Sequence, residues 1–275
     1  MSRNEHFVIC KQNGRVLFHD WGGYETRNPS TIWCVYNADK IYNWPNFSKL
    51  HIFTHDYQRT NELTYSNTKN DYSTMAPDFN FCNWKEVGLN DYEECTKQMD
   101  NVGKTTFEIN KVGWIGNLDT NERRKKLFDI GKANTDLFDI MSVNWQKTPN
   151  QTVTARNYIS MQDLVQKYSI LLDIEGYGYS GRLKYLFWSH RPVLLVDRPH
   201  KEFFYEHLIP WEHYIPVERD LEDLVEKTKW CLDNYEKAKQ IAENAFTFAQ
   251  EHLTRNGAYK QWNRIIMNHV QNTKI

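Results

Sequence analysis

Leu171-Leu-Asp-Ile-Glu-Gly-Tyr-Gly-Tyr-Ser-Gly-Arg-Leu-Lys-Tyr-Leu186 is the stretch on which the fold turns. An apolar strand runs into a glycine-rich turn, and a helix is expected to begin at Gly181. Helix starts carry unpaired N–H groups and the positive end of the peptide dipole, so they suit anions. Gly176, Gly178 and Gly181 let backbone approach a ligand closely. Ser180 can donate a hydroxyl hydrogen bond, and the planar fork of Arg182 fits a phosphate. The same glycines satisfy G-x-G-x-x-G, and Asp197 ends the next expected strand 21 residues after Gly176, which is a dinucleotide-binding pattern. An NAD(P)-dependent oxidoreductase is therefore the alternative reading. Against it, Asp173 and Glu175 set two carboxylates beside the pyrophosphate, and the unit lies late in the chain. Asp173 and Glu175 also resemble a metal-binding pair. No metal is assigned, because the glycine-rich helix start can neutralise a diphosphate without an ion.

Strands and helices alternate outward from this stretch. Lys111 to Ile115, Leu137 to Val143, Ser169 to Ile174, Val193 to Val196 and His213 to Val217 read as strands. Thr120 is expected to cap a helix over 121–131, Ser160 with Asp163 to open a short one, and Asp220 to cap one striped by Leu221, Leu224, Val225, Thr228 and Leu232. Further helices are expected over 235–253 and 257–270. Such alternation implies a parallel sheet covered on both faces. Earlier in the chain, Val8 to Cys10 and Val16 to Phe18 flank Asn13-Gly14 and read as a hairpin. Thr31 to Tyr36 and Leu50 to Thr54 read as further strands. The boundary is placed near residue 105, giving lobes of 1–105 and 106–254. The C-terminal helix, 255–275, can complete the first lobe.

Composition narrows the classes. The 275 residues carry a net charge of -1, so no global field favours nucleic acid. Five separated cysteines contain no CxxC pair, which argues against a disulfide framework or structural zinc. Histidines 190, 200, 207 and 213 lack metal-ligand spacing and are read as surface or interface residues. The N-terminus lacks the apolar core of a signal peptide, and no apolar run approaches the ~20 residues of a membrane helix. The reading is a cytoplasmic chain without a transmembrane segment. The 10 Trp, 16 Tyr and 14 Phe fit both a ring-rich core and sugar-binding surfaces, so they decide neither.

An ordered series of motifs carries a resemblance. Gly178-Tyr-Ser-Gly-Arg-Leu-Lys-Tyr-Leu-Phe187 is followed by Arg191-Pro-Val-Leu-Leu-Val196, Glu202-Phe-Phe-Tyr205 and Pro210-Trp-Glu-His-Tyr-Ile-Pro-Val217. Upstream, Ala76-Pro-Asp-Phe-Asn-Phe81 and Trp114-Ile-Gly-Asn117 with Arg123 and Arg124 extend it. The series resembles glycosyltransferase family 90, which includes protein O-glucosyltransferases and fungal capsule xylosyltransferases. The likeness covers about residues 44–265 and is most specific over 178–217. Ile115-Gly116-Asn117 stands where many relatives have Arg-Gly-Ser, which puts one phosphate contact in doubt. The lack of a signal peptide and of the relatives' cysteines fits a bacterial or large-virus enzyme, such as a virus-encoded xylosyltransferase for capsid glycans.

The resemblance implies an α/β fold of two Rossmann-like lobes facing a cleft, the GT-B arrangement. Acceptor would bind on the first lobe and nucleotide sugar on the second. It implies an inverting transfer of xylose or glucose from a UDP-sugar to a hydroxyl of a glycan or glycoprotein, with no cofactor required. Asp56 is the expected general base, His55 its backup near the acceptor, and Asp78 a holder of acceptor hydroxyls; Asp20 is a weaker base candidate. Ser180, Gly181, Arg182 and Gly178 are expected at the diphosphate. Gly116, Asn117, Arg123 and Arg124 are expected beside them, with Glu202 on the ribose.

Overall fold

The computed structural model describes residues 7–19, 27–56, 63–143, 146–147, 153–154 and 158–273. Asp20 lies outside them. In chain order the elements are β1 (Phe7–Gln12), β2 (Arg15–His19), α1 (Asn28–Tyr42), β3 (Phe47–Phe53), β4 (Leu63–Thr64) and α2 (Tyr92–Gly103). Then come β5 (Ile109–Gly116), α3 (Glu122–Ala133), β6 (Phe138–Ser142), β7 (Gln146–Lys147), β8 (Val153–Thr154), α4 (Met161–Lys167) and β9 (Tyr168–Asp173). The chain closes with α5 (Leu183–Leu186), β10 (Val193–Val196), β11 (Ile215–Val217), α6 (Leu224–Asp233), α7 (Tyr235–His252) and α8 (Arg255–Asn272). No helix among the described residues is long and apolar enough to cross a membrane.

Two compact units divide the chain. The first draws on residues 1–84, 199–207 and 251–275, and the second on 85–198 and 208–250. The boundary thus falls at 84/85 rather than near 105. The reason is α2, whose Cys95 and Met99 are buried and whose Gln98 accepts from Gln162 of α4 at 2.9 Å, which ties it to the second unit. The last helix clusters with residues 1–84.

The first unit has a four-stranded sheet in the order β2-β1-β3-β4. β1 pairs antiparallel with β2 and β3, while β3 and β4 run parallel. The hairpin forms as expected because Asn13 (φ 49°) and Gly14 (φ 73°) both take the left-handed region that a tight two-residue turn requires. Thr31 to Tyr36 is helix, not strand. Its β-branched and aromatic residues read as extended, but the buried positions Thr31, Cys34, Val35 and Ala38 recur at helical spacing, and Pro29 stands in the first turn. That face meets α8, whose Trp262 and Ile266 are fully buried.

The second unit is a five-stranded, wholly parallel sheet in the order β11-β10-β9-β5-β6. β9 is buried along all six residues, as a central parallel strand must be. Val112, Trp114, Leu172, Leu194, Val196 and Leu224 belong to its core. The chain leaves β5 for β6 on one side and returns to β9 on the other, so strand order reverses between β5 and β9. Ligands of open α/β sheets bind at the carboxyl ends of the strands beside such a reversal.

Three boundaries differ from expectation. Asn121, not Thr120, caps α3, accepting from the Arg123 amide at 3.0 Å. Leu221 takes φ 66°, so α6 starts at Leu224, after the residues Asp220 was expected to cap. The helix expected to begin at Gly181 contracts to the four residues of α5.

Candidate active site

The carboxyl ends of β5 and β9 bring Gly116, Asn117 and Asp173 together with the turn 174–182. Asn121 caps α3 and also donates from Nδ2 to the Gly176 carbonyl at 3.0 Å, which ties that helix start to the turn. Capping sets Arg123 and Arg124 in the first helical turn, facing the strand ends.

Five arginines converge here on two carboxylates. Asp173 is buried, and accepts from Arg198 Nη2 at 2.6 Å and from Ser180 Oγ at 2.6 Å. Glu175 is equally buried, and accepts from Arg123 at 3.1 Å and Arg219 at 3.4 Å. Arg124 donates to three carbonyls, those of Glu175 (2.9 Å), Asn117 (3.1 Å) and Ile174 (3.2 Å). It therefore bolts the two strand ends together. Arg182 differs from the rest. Its guanidinium lies 6.0 Å from the centre of the Trp114 ring and makes no hydrogen bond or ion pair among the described residues. Arg124 and Arg182 have no carboxylate partner among the described residues, which leaves positive charge in excess at these strand ends.

That excess is felt by the groups that make it. Burial, and then the like charge of Arg182, lower the Arg124 pKa to about 10. Burial lowers that of Arg182 as well, with Asp173 pulling the other way. Crowded, poorly solvated cations without enough counter-charge are stabilised by a bound anion. Trp114, fully buried between Arg124 and Arg182, holds an indole N–H with no acceptor among the described residues. Gly116 makes room for it, since a Cβ there would lie 2.6 Å from the ring.

The expected residues fare unevenly. Gly116, Asn117, Arg123, Arg124, Gly178, Ser180, Gly181 and Arg182 all fall at these strand ends or on the turn and helix beside them. The Ser180 hydroxyl donates to Asp173, so it is not available as a donor to phosphate; its backbone N–H has no acceptor among the described residues. Arg123, expected with Arg124 beside the diphosphate, serves Glu175, while Arg124 holds the strand ends. The turn glycines 176, 178 and 181 are not left-handed; only Gly14 and Gly88 are, among described glycines. The four-residue α5 is too short to supply the dipole of a full helix. Glu202 belongs to the first unit and is buried. Arg198, Arg219 and Trp114 were missed. Arg198 and Trp114 could have been found as polar-headed residues at the carboxyl ends of expected strands. Arg219 lies beyond β11, where nothing local marks it.

In the first unit, Asp56 follows β3. Its Oδ1 pairs with Arg27 at 2.7 Å, and its Oδ2 has no donor among the described residues. The carboxylate is 34% exposed, so a hydroxyl can reach it. Arg27 is held over Phe79 at 4.8 Å and donates to the Thr54 carbonyl at 3.4 Å. The His55 ring packs on Phe53 at 4.5 Å, and burial, then Arg27, lowers its pKa below 6.5. Asp78 is buried and accepts from the amide and side chain of Asn80, so it acts as a turn cap rather than an open acceptor contact. No cluster among the described residues could hold a metal ion. Asp173 and Glu175 are instead neutralised by arginine.

The sequence profile described as "Glycosyl transferase family 90" matches residues 41–274. The chain belongs to this family. It is 26% identical over 217 residues to protein O-glucosyltransferase 2 of Danio rerio, covering 71% of this chain and 43% of that protein. Human protein O-glucosyltransferase 3 is 28% identical over 62% of this chain and 34% of its own length. Uncharacterized protein 035R of invertebrate iridescent virus 3 is 31% identical over 63% of this chain and 16% of its own. The chain thus spans less than half the length of these relatives. Among solved structures, TarM is similar with a TM-score of 0.46 at 16% identity, covering 59% of this chain and 36% of that one. Family membership, and a glycine turn that follows the third strand of its sheet rather than the first, leave the NAD(P) alternative without support.

Proposed function

We propose that the chain is a sugar-nucleotide-dependent glycosyltransferase. It moves xylose or glucose from a UDP-sugar to a hydroxyl of a glycan or glycoprotein, with inversion at the anomeric carbon. The observation that carries this is Arg182: a half-buried guanidinium without a counter-ion, on an indole shelf, at the strand reversal of a parallel sheet. A diphosphate supplies the missing charge, and the relatives' printed activity supplies a glycosyl group. Uridine follows from the family resemblance.

In the proposed reaction, Asp56 Oδ2 takes the proton of the acceptor hydroxyl as that oxygen forms its bond to the anomeric carbon. The bond from that carbon to the diphosphate breaks on the opposite face, and its electron pair leaves with UDP. Arg182 and the amides of the 174–182 turn receive the charge that develops. Arg27 fixes the carboxylate and keeps Oδ2 open. No metal ion enters this reading, since the arginines already provide the positive field.

A thermal-shift panel of UDP, UDP-xylose, UDP-glucose and NAD tests the reading. UDP and one UDP-sugar should raise the melting temperature more than NAD does. A larger shift with NAD would overturn it.

A further inference from the structure

Beside the amino ends of the parallel strands, the second unit holds a half-open cavity of about 580 Å³. It is lined by the end of α2 and the segment after it (103–107), by His190 and Arg191, and by one face of α7. Sheet ligands of the kind proposed above bind at the carboxyl ends, so this cavity belongs to a different site.

Arg191 is its buried charge, only 5% exposed. Its guanidinium donates to the carbonyls of Val165 (3.2 Å), Gly103 (2.8 Å) and Thr105 (2.8 Å), and it has no carboxylate partner among the described residues. Three of its five N–H groups are used, which leaves two. Burial lowers its pKa. Around it, the Tyr235 hydroxyl, the Thr106 hydroxyl and the Lys239 ammonium likewise make no hydrogen bond among the described residues. The carboxylates at this wall are partly engaged by His190 and Lys104. Glu243 contacts His190 Nδ1 at 2.9 Å, and Asp100, behind the wall, contacts His190 Nε2 at 2.7 Å and Lys104 at 2.7 Å. His190 is not the surface residue its spacing implied: it is buried, stacks on Phe246 at 4.1 Å and takes φ 52°, a strained value for a non-glycine residue.

Arg191, Lys239 and the two hydroxyls can all donate here, against one open carboxylate oxygen, Glu243 Oε1, so the cavity favours a ligand rich in acceptor oxygens. Phe107 and Tyr235 add an apolar corner, their rings 5.7 Å apart, with Arg191 over Phe107 at 5.7 Å. We infer that the cavity is a second ligand site for a small oxyanion attached to a flat ring, the oxyanion meeting Arg191, Tyr235 and Lys239 and the ring lying against Phe107.

Phenyl phosphate is the probe, titrated into the full chain by calorimetry, with inorganic phosphate and phenol alongside. Saturable binding with a Kd of about 1 mM or tighter is expected, with each half of the probe alone binding at least about tenfold more weakly. Arg191 holds three backbone carbonyls, so variants there risk the fold. Lys239→Glu and Tyr235→Phe alter accessible groups and should each weaken phenyl phosphate, Lys239→Glu by about tenfold, while Arg182→Ala leaves the affinity unchanged. Absence of saturable binding overturns the proposal. So does the reverse pattern, in which Arg182→Ala abolishes binding and Lys239→Glu does not.

Discussion

Arg182 and Asp56 were both named from sequence, and for each the structure supplies what the sequence could not, the partner or the lack of one. Arg182→Ala removes a guanidinium that has neither a counter-ion nor a hydrogen bond among the described residues. Transfer should fall by about 100-fold or more, in line with loss of a group that meets developing charge, while the melting temperature without ligand changes little. Steady-state rates at saturating and subsaturating donor check this. Asp56→Asn should keep UDP binding and lose turnover; persistent turnover moves the base elsewhere, His55 being next in line. His55 also bears on pH. Its folded pKa lies below 6.5, so the native chain holds it neutral while the unfolded chain binds a proton as pH falls through about 6.5. Stability from this group is complete above that pH and is lost as pH falls towards the folded value. His55→Gln should flatten that part of a stability profile measured by urea denaturation between about pH 7 and 5.

Elements carry the second set of expectations. Asn121 performs two tasks through one side chain, capping α3 and holding the Gly176 carbonyl. Asn121→Ala should cost about 1–2 kcal/mol in chemical denaturation and weaken the response to UDP, because both the helix start and the glycine turn lose their tie. Gly116→Ala drives a Cβ into the buried Trp114 ring, and should cost about 1–3 kcal/mol while displacing the shelf under Arg182. Equal UDP affinity in that variant would separate Trp114 from donor binding. The strands of the parallel sheet were legible because buried strands are short apolar runs between polar turns, as in Val193 to Val196. Capping was harder. Thr120 and Asn121 are both competent caps, and only the path of the chain out of β5 chooses between them. Thr31 to Tyr36 misled because β-branched residues record a preference for extended backbone, whereas the face buried against α8 is helical.

At the scale of the whole chain, two units with their own cores share a chain that passes between them after residues 84, 198, 207 and 250. A ligand that binds the folded second unit at about 100 times its Kd stabilises it by about 2.7 kcal/mol. UDP should therefore raise the calorimetric melting temperature by several degrees in the wild type and far less in Arg182→Ala.

The sequence by itself determined the alternating strands and helices after residue 105, the glycine-rich turn, and the residue types suited to receiving a diphosphate, because those follow from local periodicity and side-chain chemistry. Only the tertiary structure decided which charges remain uncompensated. Ser180, Arg123 and Arg124 look as competent as Arg182 in one dimension. Asp173, Glu175 and the carbonyls at the ends of β5 and β9 engage the first three and leave the fourth. Those partners come from strands and turns far apart in the chain, so the distribution of charge is a property of the sheet order and could not be read from any one segment.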